Sequence, residues 1–342
     1  MRLKILVAAG AMAAIAGSAL PAAAQGTLDE ILQRGQLNCG VTTGLAGFSN
    51  PDSEGNWTGL DADVCRAIAA AILGDAEAVN FVPATAQQRF TVLQSGEVDL
   101  LSRVTTWTLT RDTSLGLNFA PTTFYDGQGF MVHKDLGVTS AMELEGAAVC
   151  VQPGTTTELN LADFFRANGM EFEPVVIEQL DEVNAAYFSG RCDVYTTDAS
   201  GLAATRASVA ENPEDHIILP ELISKEPLSP AVRQGDDQFF DIVKWVVYAL
   251  IEAEEYGVNS QNVDDLRENS ENPVVRRLLG ISDELGSHLG LSNDWAYNAI
   301  KQVGNYGEIF DRNVGVDSPL GLERGYNDLW TRGGLMYAMP VR

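Results

Sequence analysis

The sequence has few side chains suited to proton transfer or metal binding near neutral pH. Histidine occurs three times in 342 residues, at widely separated positions, and none of the three lies in a recognisable catalytic pattern. The four cysteines include no Cys-x-x-Cys pair, which zinc sites commonly use. Gly-x-Ser-x-Gly, His-Glu-x-x-His, Gly-x-Gly-x-x-Gly and phosphate-loop motifs are also absent. We therefore expect no metal, no cofactor and no catalytic residues. A hydrolase with paired carboxylates stays open, because acidic residues are abundant.

Positive charge is also scarce. Lys and Arg together number 22 against 47 Asp and Glu, which gives a formal net charge of −25. Such an acidic chain is repelled by nucleic-acid phosphates and by anionic membrane surfaces. We expect no nucleic-acid partner, and we interpret the acidity as a solvated surface that keeps an exported protein soluble.

Long apolar runs are absent after residue 20. Before it, Arg2 and Lys4 precede the apolar segment Ile5–Leu20, and Ala22-Ala23-Ala24 follows. This is the pattern of a secretory signal peptide, and the run is short for a membrane span. We expect residues 1–24 to be removed, which would change the formal charge to −27, because they contain two cations and no acid.

Four cysteines in an exported chain predict two disulfides, with three possible connectivities. Cys39 lies in an apparent first strand, and Cys65 lies in the helix after it. Cys150 and Cys192 each lie beside or within a strand of a second α/β unit. We predict the pairs Cys39–Cys65 and Cys150–Cys192.

Strand-like and helix-like segments alternate along the chain, which predicts α/β lobes. The predicted strands are Leu37–Val41, Asn80–Pro83, Val98–Leu101, Ala147–Val151, Glu173–Ile177 and Asp193–Thr196. The predicted helices are Asp61–Leu73, Gln87–Gln94, Thr157–Asn168, Asp181–Ser189 and Asp237–Glu254. Beyond about Gln261 the chain is predicted to be helical and polar, with no assignable purpose.

Two extended segments predict crossings between the lobes. The first is glycine-rich, Phe124–Val132, and the second is the proline-containing segment Ile217–Ala231. We predict one lobe from residues 25–128 and 229–342, which includes a helical C-terminal extension, and a second lobe from 129–228. A cleft between two hinged lobes is a usual place for a ligand.

Two short segments indicate an anion site. Thr105–Arg111 places a hydroxyl five residues before a guanidinium, and Arg presents a planar fork that matches a carboxylate. Gly154–Glu158 opens a predicted helix, whose first N–H groups and positive dipole end also favour an anion. A free α-carboxylate is the natural candidate, and Asp198 could bind the matching ammonium.

Five motifs in this order resemble periplasmic solute-binding proteins of ABC transporters for polar amino acids, and most closely the general L-amino-acid-binding subgroup. The resemblance runs from about Leu28 to the C-terminus. The motifs are Gly59–Asp63, Leu93–Asp99, Thr105–Arg111, Gln152–Thr156 and Thr197–Ser200. The resemblance implies an α/β, two-lobed type II fold with two hinge crossings, and a location in the periplasm.

The resemblance also implies roles for individual residues. Arg111 would bind the ligand α-carboxylate, and Thr106 would bind the ammonium or carboxylate. Thr155 and Thr156, with the N–H groups beside them, would hold the carboxylate from the second lobe, and Asp198 would bind the α-ammonium.

The resemblance says less about the ligand side chain. Arg89 falls where relatives that bind acidic amino acids place an arginine near that side chain. Relatives selective for cationic amino acids stack the side chain on an aromatic ring, and the corresponding position here is Leu45. That difference is compatible with a permissive pocket.

Each candidate also has a purely structural interpretation. Arg111 could be a surface residue paired with Asp112. Thr156 and Asp198 could be N-caps of the helices that follow them. Arg89 could face solvent on its helix.

As partners the resemblance implies free L-amino acids and the membrane permease subunits of a transporter, and we expect a monomer. One alternative is an exported enzyme on the same fold, such as a cyclohexadienyl dehydratase. Another is a periplasmic ligand sensor.

Overall fold

The computed structural model describes residues 26–342, so the predicted signal peptide at residues 1–24 lies outside the described part of the chain. The strands are β1 Leu37–Val41, β2 Asn50–Pro51, β3 Trp57–Thr58, β4 Val79–Pro83, β5 Leu100–Leu101, β6 Leu117–Phe119, β7 Phe124–Asp126, β8 Gln128–His133, β9 Ala148–Val151, β10 Glu173–Val176, β11 Val194–Asp198, β12 His216–Ile218, β13 Glu226–Leu228 and β14 Ala231–Arg233.

Of the α-helices in the described chain, one precedes β1, six lie between consecutive strands and six follow β14. They are α1 Thr27–Arg34, α2 Leu60–Leu73, α3 Arg89–Gln94, α4 Leu109–Ser114, α5 Thr156–Ala167, α6 Leu180–Phe188, α7 Ala199–Ser208, α8 Asp237–Glu255, α9 Val263–Asn269, α10 Pro273–Leu278, α11 Gly286–Leu289, α12 Trp295–Val303 and α13 Tyr306–Asn313.

Two five-stranded sheets share one pattern of strand directions, and they form the two lobes that the sequence predicts. The first has the order β4-β1-β5-β14-β6, and the second has the order β10-β9-β11-β8-β12. In each sheet three strands are parallel, and the next strand runs antiparallel to them. Parallel strands covered by helices need apolar side chains on both faces, which explains the buried residues of β1 and β9.

The chain crosses between the sheets twice, through strands that pair with each other. Strand β7 leaves the first sheet and β13 returns, and the two form a short antiparallel pair with Tyr125 opposite Pro227. These hinge strands lie inside the two segments that the sequence predicts as crossings. The lobe boundaries at residues 128 and 228 stay a prediction, and β8 of the second sheet already begins at Gln128.

Both predicted disulfides are present in the structure. Cys39–Cys65 joins β1 to α2 with a Cα–Cα distance of 6.2 Å. Cys150–Cys192 joins β9 to the segment just before β11 with a Cα–Cα distance of 5.6 Å. Each bridge therefore closes a loop within one sheet and its helices, which restricts the unfolded chain and stabilises that lobe.

The predicted strand Val98–Leu101 is shorter in the structure, where only Leu100–Leu101 is β-strand. The Asp99 carboxylate accepts the Asn38 N–H at 2.7 Å, while Asp99 N donates to the Asn38 carbonyl at 2.9 Å. The Asp99 side chain thus accepts a backbone N–H that a strand carbonyl would otherwise bind, and β5 begins one residue later, at Leu100.

The C-terminal extension, residues 262–342, is helical as predicted only as far as Asn313, because residues 314–342 contain just two short 3-10 turns, Gly325–Asn327 and Trp330–Arg332. Its helical part is also not polar throughout. Trp295, Ala296, Ala299, Ile300 and Val303 form one buried face of α12, at the spacing of an amphipathic helix. They belong to the same hydrophobic core as α2 and α8. The sequence does not predict this buried face, because each helix of the extension is short and shows little apolar periodicity. In residues 26–342 no helix is long and apolar enough to cross a membrane.

Candidate functional site

The segment Thr105–Trp107 lies along the returning hinge strand. Trp107 N donates to the Pro227 carbonyl at 2.9 Å, and Ser229 N donates to the Thr105 carbonyl at 3.0 Å. Thr106 lies between these two bonds, in a β-bridge with Leu228. The chain therefore places the Thr106 hydroxyl where the two lobes meet.

The first turn of α5 approaches the same place from the second lobe. Its N-cap is Thr155, whose hydroxyl accepts the Glu158 N–H at 3.0 Å and donates to the Gln152 carbonyl at 2.7 Å. The structural interpretation of Thr156 as the N-cap is therefore wrong, because the helix begins one residue earlier than predicted. This leaves the Thr156 hydroxyl free of capping, and it lies 3.4 Å from the Thr106 hydroxyl across the cleft.

The two lobes touch across the cleft and enclose a cavity of about 60 Å³, larger than the roughly 10–15 Å³ that one water molecule needs. Five of the six predicted ligand-binding residues line it, namely Arg89, Thr106, Thr155, Thr156 and Asp198. Leu45 also lines it, as do Arg103, Tyr195 and Ser200. Further cross-cleft bonds run from Arg89 Nη2 to the Gly154 carbonyl at 3.3 Å and from Thr85 Oγ1 to Glu178 at 2.8 Å.

The sixth predicted residue, Arg111, lies directly behind this lining. Its guanidinium donates from Nη1 to the Thr106 carbonyl at 2.9 Å and is 7% exposed. The predicted alternative of a surface pair with Asp112 is wrong, because Asp112 accepts from Trp107 Nε1 at 2.9 Å instead. Burial lowers the pKa of Arg111, while the nearby Glu226 and Asp198 oppose that shift.

Three guanidiniums, those of Arg89, Arg103 and Arg111, are buried together on the first-lobe side. Among residues 26–342 none of them forms a salt bridge, and Arg89 Nε has no hydrogen-bond partner. The Arg89 and Arg111 groups lie 4.8 and 5.1 Å from the Phe90 ring centroid. Burial and mutual repulsion lower the pKa of Arg89, and burial lowers that of Arg103 to about 10. Arg89 is 3% exposed, so the solvent-facing alternative is wrong.

Three carboxylates lie near these cations, on the hinge strands and at the start of α7. Burial raises the pKa of Asp198 well above its usual range, and the charges of Asp126 and Glu226 raise it further. Burial likewise raises the pKa of Asp126 to about 6. Asp198 occupies the N-cap position of α7 but makes no capping bond. The Asp126 carboxylate accepts from Ser200 N and Oγ instead, at 3.2 and 2.5 Å.

Glu226 lies in the cleft although the sequence does not predict it as a site residue. It is 1% exposed, and its carboxylate accepts hydrogen bonds from Thr106 at 2.6 Å and Thr156 at 2.7 Å. It also accepts from Ser224 at 2.5 Å and Asn160 at 2.9 Å. One carboxylate thus binds donors from both lobes. The only signal in the sequence is a charged residue in the short, proline-containing return segment.

The cleft combines buried cations, buried acids and paired hydroxyls from two lobes, which is a suitable environment for a small zwitterion. No group of three or more His, Cys, Asp or Glu within residues 26–342 is arranged to hold a metal ion. The match to known proteins agrees with this geometry. Residues 37–261 match the bacterial extracellular solute-binding proteins, family 3.

This chain belongs to that family. It is 59% identical, over 100% of both sequences, to the general L-amino acid-binding periplasmic protein AapJ of Rhizobium johnstonii. It is 54% identical to the glutamate/glutamine/aspartate/asparagine-binding protein BztA of Rhodobacter capsulatus, over 96% of this chain and 97% of that one. The resemblance to the general L-amino-acid-binding subgroup is therefore confirmed.

A solved structure supports the two-lobed type II fold. It is a periplasmic binding protein of an ABC transporter from Brucella ovis with glutathione bound, and it shares 55% sequence identity with this chain. The superposition has a TM-score of 0.91 and covers 93% of this chain and 100% of the other.

Proposed function

We propose that this protein is the periplasmic substrate-binding component of an ABC transporter for L-amino acids. It captures a free amino acid and delivers it to membrane permease subunits, and it performs no catalysis. One observation carries the proposal: the hydroxyls of Thr106 and Thr156, from opposite lobes, lie 3.4 Å apart beside buried guanidiniums and carboxylates that form no salt bridges among the described residues. Two relatives with more than half of their residues identical bear names of amino-acid-binding proteins.

The proposed mechanism uses both charged ends of the ligand. Arg111 and Thr106 on the first lobe bind the α-carboxylate, and closure adds Thr156 with the N–H groups at the start of α5. Asp198 binds the α-ammonium from the second lobe. Because the contacts from the second lobe form only when the lobes meet, the ligand has a higher affinity for the closed state and shifts the equilibrium towards it.

The same mechanism accounts for a broad range of ligands. A site that binds the α-amino and α-carboxylate groups, with Leu45 in place of an aromatic platform, constrains the side chain little. Glutathione, bound by the Brucella ovis relative, has these two groups at its γ-glutamyl end. We propose that this chain accepts polar and acidic amino acids, and that Arg89 interacts with the acidic side chains.

A thermal-shift panel tests the proposal. The twenty L-amino acids, their D-forms and their decarboxylated analogues are compared, because a ligand that binds only the folded protein raises Tm by mass action. Polar L-amino acids should raise Tm, and the decarboxylated analogues should not. No response to any L-amino acid would contradict the proposal. Turnover of prephenate by the purified protein would favour the dehydratase alternative instead.

The location follows from the predicted signal peptide and from the family. Expression of the full chain in a Gram-negative host should place the protein in the periplasmic fraction. N-terminal sequencing of that material should begin at Gln25. A protein retained in the cytoplasm with an intact Met1 would contradict the proposed export. Size-exclusion chromatography with light scattering on the same sample tests the expected monomer.

A further inference from the structure

The C-terminal extension lies beyond the matched family region, which ends at residue 261, and it reaches the hinge. Asn327, 5% exposed, contacts the backbone of Tyr125 in strand β7 with both ends of its amide. Its Oδ1 accepts the Tyr125 N–H at 2.6 Å, and its Nδ2 donates to the Tyr125 carbonyl at 3.1 Å. A side chain thus binds one hinge residue as a neighbouring strand would.

The partner strand β13 does not satisfy these backbone groups. Tyr125 is paired with Pro227, which has no N–H and whose carbonyl accepts from Trp107. Backbone groups left without partners in a protein interior are costly. Asn327 therefore completes the hydrogen bonding of the first hinge strand at this position.

Other residues of the extension fix the same region. The Tyr306 hydroxyl donates to the Thr123 carbonyl at 2.8 Å, in a buried position. The Phe310 ring stacks on Phe124 with centroids 6.0 Å apart and an interplanar angle of 7°. Arg324 donates to the Asn327 carbonyl at 3.0 Å and forms a salt bridge with Glu254 of α8 at 3.0 Å. The extension is thereby anchored to the first lobe and bonded to the hinge.

The hinge strand leads directly into the cleft. Asp126 follows Tyr125 and accepts the two hydrogen bonds from Ser200 at the start of α7, in the second lobe. Lobe closure changes the backbone dihedral angles of hinge residues. A side chain that fixes the peptide groups of Tyr125 in the closed arrangement therefore acts on the position of Asp126 and of α7.

We propose that the C-terminal extension positions hinge strand β7 for lobe closure, chiefly through the two hydrogen bonds of Asn327 to Tyr125. The bonds favour the closed arrangement and so increase the fraction of protein that is competent to hold a ligand. Apparent affinity depends on that fraction. The inference concerns residues outside the lining of the cavity, and it rests on the proposed function only for its affinity test.

A matched pair of variants tests this inference. Gln302 of α12 binds backbone in the same two-ended way, since its Oε1 accepts Ala76 N at 2.8 Å and its Nε2 donates to the Gly74 carbonyl at 3.0 Å. That site lies at the end of α2, away from the hinge strands. Asn327→Ala and Gln302→Ala are compared with the unaltered full-length protein by titration calorimetry with L-glutamate. Small-angle X-ray scattering gives the radius of gyration of each without ligand.

Asn327→Ala should weaken L-glutamate binding about threefold to thirtyfold and increase the unliganded radius of gyration, because the closed fraction falls. Gln302→Ala should change neither. Tyr306→Phe, which removes one hydroxyl, should give a smaller loss of affinity and serves if Asn327→Ala does not fold. Equal affinities and radii for the unaltered protein, Asn327→Ala and Tyr306→Phe would overturn the inference. Tighter binding by Asn327→Ala would also overturn it, since the extension would then oppose closure.

The scattering comparison separates this inference from the proposed function. If the unaltered protein binds neither L-glutamate nor any other amino acid, the proposed function fails. A larger unliganded radius for Asn327→Ala alone would still support the role of the extension. In that case, where affinity cannot be compared, an unchanged radius of gyration would overturn the inference.

Discussion

At the scale of single residues, the cleft is defined by charged groups that are buried without direct ionic partners. Arg89, Arg111 and Asp198 would each be costly if they stayed isolated in a low-dielectric interior. Their pKa shifts all oppose the charged form, with burial as the main cause. In the proposed mechanism a ligand with both charges would provide the missing partners, so its binding would recover part of this cost.

Arg111→Ala should weaken binding of L-amino acids by about 1.5–3 kcal/mol or more, roughly tenfold to over a hundredfold. The physical reason is the loss of a charge-assisted contact to the α-carboxylate in a buried site. Titration calorimetry measures the change, and circular dichroism shows whether the variant is folded. A folded variant with unchanged affinity would remove Arg111 from the site.

Asp198→Asn should weaken the binding of L-glutamate by about tenfold or more, because an amide cannot neutralise the α-ammonium. Glutarate, which has both carboxylates and no ammonium, is the matched ligand and should lose much less affinity. The two dissociation constants are compared by calorimetry. Equal losses for the two ligands would contradict the ammonium role.

Arg89→Ala should selectively weaken the binding of L-glutamate and L-aspartate, by about threefold to thirtyfold relative to L-glutamine and L-asparagine. Arg89 is buried at the cavity, and its Nε has no hydrogen-bond partner among the described residues, so this donor is available to a ligand. Competition assays against the amide-containing amino acids give the ratio. A uniform loss for all four would indicate that Arg89 supports the fold of the cleft.

At the scale of elements, the N-cap of α5 is Thr155, whereas the proposed mechanism gives Thr156 the contact with the ligand. Thr155→Val should lower the free energy of unfolding by about 1 kcal/mol through loss of the N-cap. Thr156→Val leaves the cap intact, so its main effect should be weaker amino-acid binding. Denaturant unfolding and calorimetry on both variants check the division. A larger stability loss for Thr156→Val than for Thr155→Val would contradict it.

The two lobes share one structural feature, an aspartate after a Ser-Gly helix end that binds the backbone of a parallel strand. A helix ends at Ser-Gly, at Ser95 and again at Ser189, and an aspartate follows four residues after each serine. Asp99 then accepts the Asn38 N–H, and Asp193 accepts the Ala148 N–H at 2.8 Å. Each carboxylate binds the backbone at the start of the central parallel strand. This explains why the same motif precedes a strand in both sheets.

At the scale of the whole molecule, the acids of the cleft make binding depend on pH. The pKa of Asp126 is raised to about 6, and that of Asp198 is also raised. The proposed contact with the α-ammonium needs ionised Asp198, so amino-acid affinity should fall as pH decreases through the raised pKa of Asp198, by up to about tenfold per pH unit. Calorimetry from neutral to acidic pH checks this. An affinity for L-glutamate that stays unchanged down to about pH 5 would contradict the ammonium role of Asp198.

Raised pKa values of buried acids have the opposite effect on the stability of the unliganded protein, which they favour at low pH. The pKa of Asp61, like that of Asp126, is raised to about 6 by burial. Groups of this kind hold more protons when folded than when unfolded between pH 3.8 and about 6. Their contribution to stability is therefore largest in acid and decreases as pH rises through that window.

The sequence predicted local elements well where the apolar pattern and the turn residues agreed. Strand β1 has its predicted limits, and α2, α5 and α8 differ from their predictions by no more than one residue at each end. The helices of the extension were predicted as polar because each is short. Their buried face exists only by contact with α2 and α8, and nothing in the local sequence encodes those partners.

The sequence alone predicted the alternation of strands and helices, the two crossings, the disulfide pairs and six of the residues at or behind the cleft, because these features follow recognisable sequence patterns. Only the tertiary structure decided which distant groups meet. Glu226 bonds to Thr106, 120 residues away, and Tyr125 bonds to Asn327, 202 residues away. Such contacts depend on where the chain returns after building a second lobe. That return is fixed by the packing of whole sheets and helices, which no short sequence pattern specifies.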